Sequence, residues 1–310
     1  MLFSRALTPA FAVLALSFLS TAQASECVSS EASAETLMPG SWWQNGVTVS
    51  APALFAQAAR QDVVLLGEHH DQVTHHRWQL HTLAGLAAHR DNLVIGLEML
   101  PRDAQPALDA WVAGELSEEA FLAESDWHNA WGFNAELYWP ILHFARMEQI
   151  PLLALNIRPA LRQTLASEGF DAVAAENRHY IPAPANPSDA YRQRLKETFD
   201  AHPMGHGDDE PPEAAFERFL NAQLTWDVAM ASALADATRA GYLAVGLMGV
   251  GHLAYGDGVP HQLSALGVDV HMALMPSTLE CDPPDTTLAD ALYLLDEPYL
   301  LNEPQSVNEP

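Results

Sequence analysis

The stretch GEHHDQVTHH (67–76) sets four histidines, a glutamate and an aspartate directly behind the apolar run Val63–Leu66. Polar groups close other apolar runs in the same way. Glu98 follows Leu93–Leu97, Asn156-Ile157-Arg158 follow Leu152–Leu155, and His252 follows Leu243–Leu247 through Met248-Gly249-Val250-Gly251. Glu68, His70, Glu98 and His252 together supply two carboxylates and two imidazoles, a ligand set suited to a divalent transition metal with one position left for water. Such a water would be acidified and could attack an ester or amide. Without a metal, the two glutamates could carry out acid–base work assisted by histidine. A buried network that only ties strand ends together would draw on the same residues, because buried polar groups must find partners.

These groups can meet only if the runs before them are neighbouring strands. Each run is continuous rather than alternating, as in strands covered on both faces by helices. The helical segments between them point to parallel βα units. Val268–Leu274 gives a fifth strand and Ala291–Leu295 a sixth. The sequence therefore predicts an α/β fold with a mainly parallel central sheet, flanking helices and helical insertions. In such a sheet all the strand carboxyl ends lie on one edge, where ligands bind.

Between the first two strands, Val73, His76, Leu80, Leu83 and Ala87 mark one face of an amphipathic helix. His76 is then expected to cap the core, while His75 lies on another face and could reach the crevice from the helix start. The insertion Gln105–Arg146 carries Trp127, Trp131, Phe133, Tyr138 and Trp139, which either pack it onto the sheet or wall a flat apolar ligand. A second helical stretch, Pro159–Ala240, contains the loop HPMGHGDDEPPE (202–213), too polar and proline-rich to pack.

The 310 residues include 40 acidic and 14 basic ones, and Lys196 is the sole lysine. Nucleic-acid binding relies on basic side chains that release counterions, so this balance argues against a DNA or RNA partner. Residues 1–24 have the layout of a secretory signal peptide: Arg5, the apolar run Ala6–Leu19, then Ala22 and Ala24 around a cleavage point. A periplasmic location is expected. Lipid anchoring through Cys27 is disfavoured because Glu26 stands where a small residue is required. In an oxidising compartment Cys27 and Cys281 could form a bridge. The organisation expected is a leader (1–24), a polar lead (25–50), a main domain (51–282) and an acidic, proline-rich tail (283–310).

Six ordered blocks carry a resemblance that spans about residues 60 to 275. They are GEHHDQVTHHRWQL, GLEMLPRDAQPALDAWVAGELSEEAF, WGFNAELYWPILHFAR, IPLLALNIR, LTWDVAMA and MGVGHLAYGDGVP. Together they resemble the ChaN family of haem-binding uptake proteins, whose core is related to that of erythromycin esterases and the Tiki and TraB group. The resemblance implies an exported haem-binding protein of iron acquisition, dimeric, with haem held between subunits and iron bound through tyrosine. It also implies haem-transport partners in the periplasm or outer membrane. Glu68, His70, Asp71, His75, His76, Glu98, Asn156, Arg158, Asp227 and His252 fall within the matching blocks. The tyrosine does not: Tyr180 and Tyr191 lie in a polar region without a fixed motif, where a phenolate could ligate ferric haem. Tyr180, Tyr191, His75 and Arg158 are the residues expected to contact haem. The near absence of lysine leaves arginine to meet the propionates.

Overall fold

The computed structural model describes residues 38–201, 211–278 and 284–295. The leader, both cysteines and most of the 202–213 loop lie outside the described residues.

The chain forms an eight-stranded sheet: β1 (Trp42–Gln44), β2 (Val47–Val49), β3 (Val63–Glu68), β4 (Leu93–Pro101), β5 (Leu152–Asn156), β6 (Leu243–Gly249), β7 (His271–Thr278) and β8 (Ala291–Leu295). Their order across the sheet is β2-β1-β8-β7-β3-β6-β4-β5. From β8 to β5 every neighbouring pair is parallel, while β1 runs antiparallel to both β2 and β8. The fold is thus α/β with a mainly parallel sheet. The β1–β2 hairpin comes from the polar lead and β8 from the acidic tail, and together they extend the sheet beyond β7. The strand expected at Val268–Leu274 starts later, at His271, because the Val268 N–H closes the preceding helix by donating to Leu263 O (2.9 Å).

The helices are α1 (Ala51–Ala58), α2 (Val73–Ala87), α3 (Gln105–Val112), α4 (Glu118–Glu124), α5 (Trp127–Ala130), α6 (Trp139–Met147), α7 (Pro159–Glu168), α8 (Asp189–Ala201), α9 (Pro212–Arg239) and α10 (Val259–Ala265). Their ends follow local chemistry. Ser50 caps α1 by accepting from the Ala53 N–H, Ser117 caps α4 in the same way, and proline opens α1, α3, α6, α7, α9 and α10.

Successive strand residues point to opposite faces, and this explains the continuous apolar runs. Val64, Leu66, Ile95, Leu97, Val245 and Leu247 join one hydrophobic cluster with Trp111, Phe121, Trp127 and Trp139 of the first helical insertion. Val63, Leu65, Val94, Ala244 and Met248 join a second with Met230 and Leu234 of α9 and Leu263 of α10. The insertion aromatics are therefore mostly core. A smaller third cluster joins Tyr191, Leu195 and Phe199 of α8 to Ala215, Phe216, Leu220 and Leu224 in the first half of α9.

Candidate functional site

The strand alternation that builds the two cores also aims the acids. Glu68 ends β3 in step with Val64 and Leu66, so it leans toward the α6 layer; Glu98 lies within β4 in step with Val94 and Gly96, toward α9. Both strands run past the ends expected from their apolar runs. The two glutamates consequently sit inside the sheet edge and are fully buried.

Glu68 is the hub of one half of the site. The Tyr138 hydroxyl donates to its Oε1 at 2.7 Å and the His70 Nδ1 at 2.8 Å, while His76 Nδ1 stands 3.4 Å from Oε2. Trp131 Nε1 donates in turn to the Tyr138 oxygen (3.2 Å). Burial alone would raise the Glu68 pKa, but the two imidazoles outweigh it and hold the carboxyl well below its usual range. The same burial works against charge on His70 and His76, and Glu68 reverses it, raising both. For Tyr138, burial and the adjacent Glu68 charge add, so its hydroxyl stays a proton donor far above neutral pH.

His252 is the hub of the other half. Its Nδ1 donates to Asp227 Oδ1 (2.5 Å), its Nε2 faces Glu98 Oε1 at 3.5 Å, and the Trp226 ring meets it edge-on with centroids 4.8 Å apart. Burial opposes charge on this ring too, yet Glu98 and Asp227 push its pKa up to about 10. Glu98 Oε2 accepts the Gly249 N–H (2.7 Å), whereas its Oε1 is buried without a hydrogen-bond donor. Asn156 Nδ2 donates to the Glu98 carbonyl (2.9 Å) and fixes the end of β4 beside β5. Gly249 lets the halves meet: a Cβ there would lie 2.9 Å from His70 Cε1 and 3.8 Å from Glu98 Oε2.

Above this floor opens a cavity of about 340 Å³, lined by Glu68, His70, Glu98 and His252 below, by Trp131 and Trp226 on the sides, and by Tyr191, Arg194 and Leu195 of α8 with Tyr255 at the top. Tyr255 has a positive φ of 63°, a strained conformation for a residue with a side chain. Nearby Gly258 (φ 59°) is packed so closely that a Cβ would lie 2.4 Å from the His252 carbonyl oxygen.

The structure thus gathers Glu68, His70, Glu98 and His252 as the sequence implied. Among the described residues, no group of three or more His, Cys, Asp or Glu is placed to hold a metal. The donor atoms are instead turned onto one another, Glu68 toward Tyr138 and the α2 histidine, Glu98 toward the Gly249 amide.

The other expected residues fall elsewhere. His75 is buried in the wall, accepting the His69 N–H on Nδ1 (2.9 Å); burial, followed by repulsion from His69, lowers its pKa to about 3. His76, assigned to the core, is the α2 histidine beside Glu68. Arg158 bonds Asp103 (2.8 Å) and Asp126 (2.6 Å) at the surface, outside the cavity. Tyr180 is 75% exposed on a turn away from the cavity, whereas Tyr191 lines it with its hydroxyl donating to Asp227 Oδ2 (2.9 Å).

Sequence reasoning assigned no role to Gln223, Arg194 or Tyr255, and placed Tyr138 only among the aromatics that pack the insertion or wall a ligand. Asp227 did carry a signal, as a lone acid in the apolar helical run LTWDVAMA.

Comparison with known proteins agrees with this architecture. The profile of the family described as haem-binding uptake, Tiki superfamily, ChaN matches residues 54–263. No curated protein matches the sequence. Among solved structures, one described as cofacial heme binding to ChaN of Campylobacter jejuni superposes with a TM-score of 0.64 at 16% identity, over 81% of this chain and 95% of that one. An erythromycin esterase mutant in its open conformation aligns more loosely, with a TM-score of 0.43 at 12% identity over 73% and 72% of the two chains. With its profile matched over two thirds of the sequence, and over the segments that build the site, the chain belongs to the ChaN family of haem-binding uptake proteins.

Proposed function

We propose that this protein is exported to the periplasm, binds haem at the mouth of the strand-end cavity, and holds it between two subunits. Family membership over residues 54–263 carries the reading. The residues present suit such a ligand. Trp131, Trp226, Tyr191 and Tyr255 offer aromatic walls, and Arg194 supplies a cation for a propionate. At about 340 Å³ the cavity lies at the small end for ligand pockets, so it would take one side of a flat ring and leave the other for a partner subunit. Haem would supply the iron chemistry, and the protein's part is binding, orientation and shielding. Of the cavity tyrosines, Tyr191 already donates to Asp227, and burial followed by that carboxylate raises its pKa well above the usual value. Tyr255, 43% exposed at the mouth, is the better placed phenol. The leader at residues 1–24 supports export.

Titrating hemin into the purified protein should give a saturable Soret shift and a shift toward dimer in sedimentation. Tyr255→Phe should alter the spectrum more than Tyr180→Phe. Absence of saturable binding by wild type would defeat the proposal.

A second reading is favoured by one observation: two carboxylate-oriented imidazoles flank Glu98, whose Oε1 is buried and accepts no hydrogen bond. That is an acid–base arrangement in its own right. Glu98 could take a proton from water as its oxygen attacks an acyl carbon, and His252 could protonate the leaving group as its bond breaks. Hydrolysis of activated esters that survives chelation and falls about 100-fold in Glu98→Gln would support it. No turnover above the Glu98→Gln background would count against it.

A further inference from the structure

The floor of the cavity is tied to its roof through one side chain. Asp227, fully buried on α9, accepts from His252 Nδ1 on Oδ1 (2.5 Å) and from the Tyr191 hydroxyl on Oδ2 (2.9 Å). We infer that Asp227 is a positioning residue that fixes the His252 ring with Nε2 turned to Glu98, and that the Tyr191 hydroxyl makes this arrangement depend on the docking of α8. The inference rests on the acid–base reading of the floor.

An imidazole with one nitrogen held by a carboxylate has its tautomer and orientation set, so the other nitrogen presents a defined face to the reacting space. Here that face looks at Glu98, 3.5 Å away. Gln223 Nε2 also approaches His252 Nδ1 (3.1 Å), but an amide carries no charge to hold an imidazolium. The titratable groups that bear on His252 come from separate elements: Glu98 from β4, Asp227 from α9, and His70 from the turn after β3.

The roof has a different anchorage. The apolar face of α8 packs with the first half of α9, where Arg192 also pairs with Glu217 and Glu213, in a cluster separate from both sheet cores. Polar contacts also tie the helix to the rest of the site. Tyr191 reaches Asp227, Arg194 pairs with Asp257, and Ser188 just before the helix donates to Asp257 Oδ1 (3.1 Å). A helix held by a small satellite core and by partly exposed ion pairs opens more readily than the sheet beneath it. When α8 lifts, Asp227 loses its second donor, and a buried carboxylate with an unsatisfied oxygen must find a new partner. His252 is the partner at hand, so the ring would shift or share its proton differently. The roof would thereby report to the floor.

The test uses the full chain and needs no substrate. Long-range ¹H–¹⁵N spectra of ¹⁵N-histidine-labelled protein read the charge and tautomer of His252, and amide hydrogen exchange reads the opening of α8. Asp227→Asn should lower the His252 pKa and alter its nitrogen shifts and tautomer, while Asp227→Glu restores most of the wild-type pattern. Tyr191→Phe should speed α8 exchange roughly five- to tenfold, the factor expected for one lost hydrogen bond, and perturb the His252 nitrogens at the same time. Unchanged His252 shifts in Asp227→Asn would overturn the positioning role. Faster α8 exchange in Tyr191→Phe with an undisturbed His252 would overturn the coupling. If Asp227→Asn fails to fold, Tyr191→Phe and Asp227→Glu still decide the matter. Lack of esterase turnover would defeat the acid–base reading but would leave these spectra unchanged.

Discussion

The floor and the mouth of the cavity are built on opposite principles. On the floor, Glu68, Glu98, Asp227 and His252 are buried, and hydrogen bonds fix each against groups from other elements. At the mouth, Tyr255 is 43% exposed, and a partly exposed Arg194 reaches down to Asp257. The floor is held by strand ends that cannot move without disturbing two cores; the mouth is held by a helix with a small core of its own and a strained loop. A rigid polar base under an adaptable aromatic rim suits a protein that fixes a few atoms tightly and accepts a large flat ligand loosely. It also predicts that substitutions on the floor act on stability, while substitutions at the mouth act on binding.

The sharpest test of that division is Glu68→Leu. Removing this carboxylate leaves Tyr138, His70 and His76 without their shared acceptor, and should cost about 3–5 kcal/mol in urea unfolding. Tyr138→Phe should cost only about 1 kcal/mol, because it removes one donor and leaves the imidazoles paired. Equal losses would show that Glu68 is not the hub. Next comes Gly249→Ala, where the new Cβ would press on the His70 ring. A loss of about 1–3 kcal/mol is expected, against a small effect from Gly132→Ala, where a Cβ meets nothing within 4 Å.

Stability against pH probes the floor charges together. The pKa of His252 is raised in the folded state, to about 10, so its contribution is full below the unfolded value near 6.5 and is lost as pH climbs toward 10. His75 has the opposite sign: its folded pKa, near 3, penalises protonation, so stability falls as pH drops from about 6.5 toward 3. Urea midpoints measured across this range should peak near neutrality, and Asp227→Asn should flatten the alkaline limb. A wild-type profile without an alkaline decline would contradict the charged His252. The last comparison concerns binding at the mouth. Arg194→Ala should weaken hemin binding several-fold, while Arg158→Ala, outside the cavity, should leave hemin binding alone.

Much of the floor was legible because strands announce themselves. The continuous runs at Val63, Leu93, Leu152 and Leu243 marked buried parallel strands, and a parallel sheet brings their ends to one edge. That pattern located Glu68, His70, Glu98 and His252 without knowledge of strand order. It misjudged α2, where His75 and His76 exchange their expected places. Helical periodicity shows which residues share a face, but the direction of that face depends on the crossing of helix and sheet. It also favoured Arg158 for its position after a strand, although Asp103 and Asp126, distant in sequence, engage it at the surface.

The sequence by itself determined the α/β class, the six strands β3 to β8, the edge on which the polar groups collect and, through six ordered blocks, the family. All of these come from local pattern, since burial on both faces demands unbroken apolar runs and chain order fixes which residues lie just beyond each strand. Only the tertiary structure decided how the collected groups pair. Tyr138 reaches Glu68 across 70 residues and Tyr191 reaches Asp227 across 36. Such contacts are set by the packing of helices on the sheet, and no spacing along the chain encodes them.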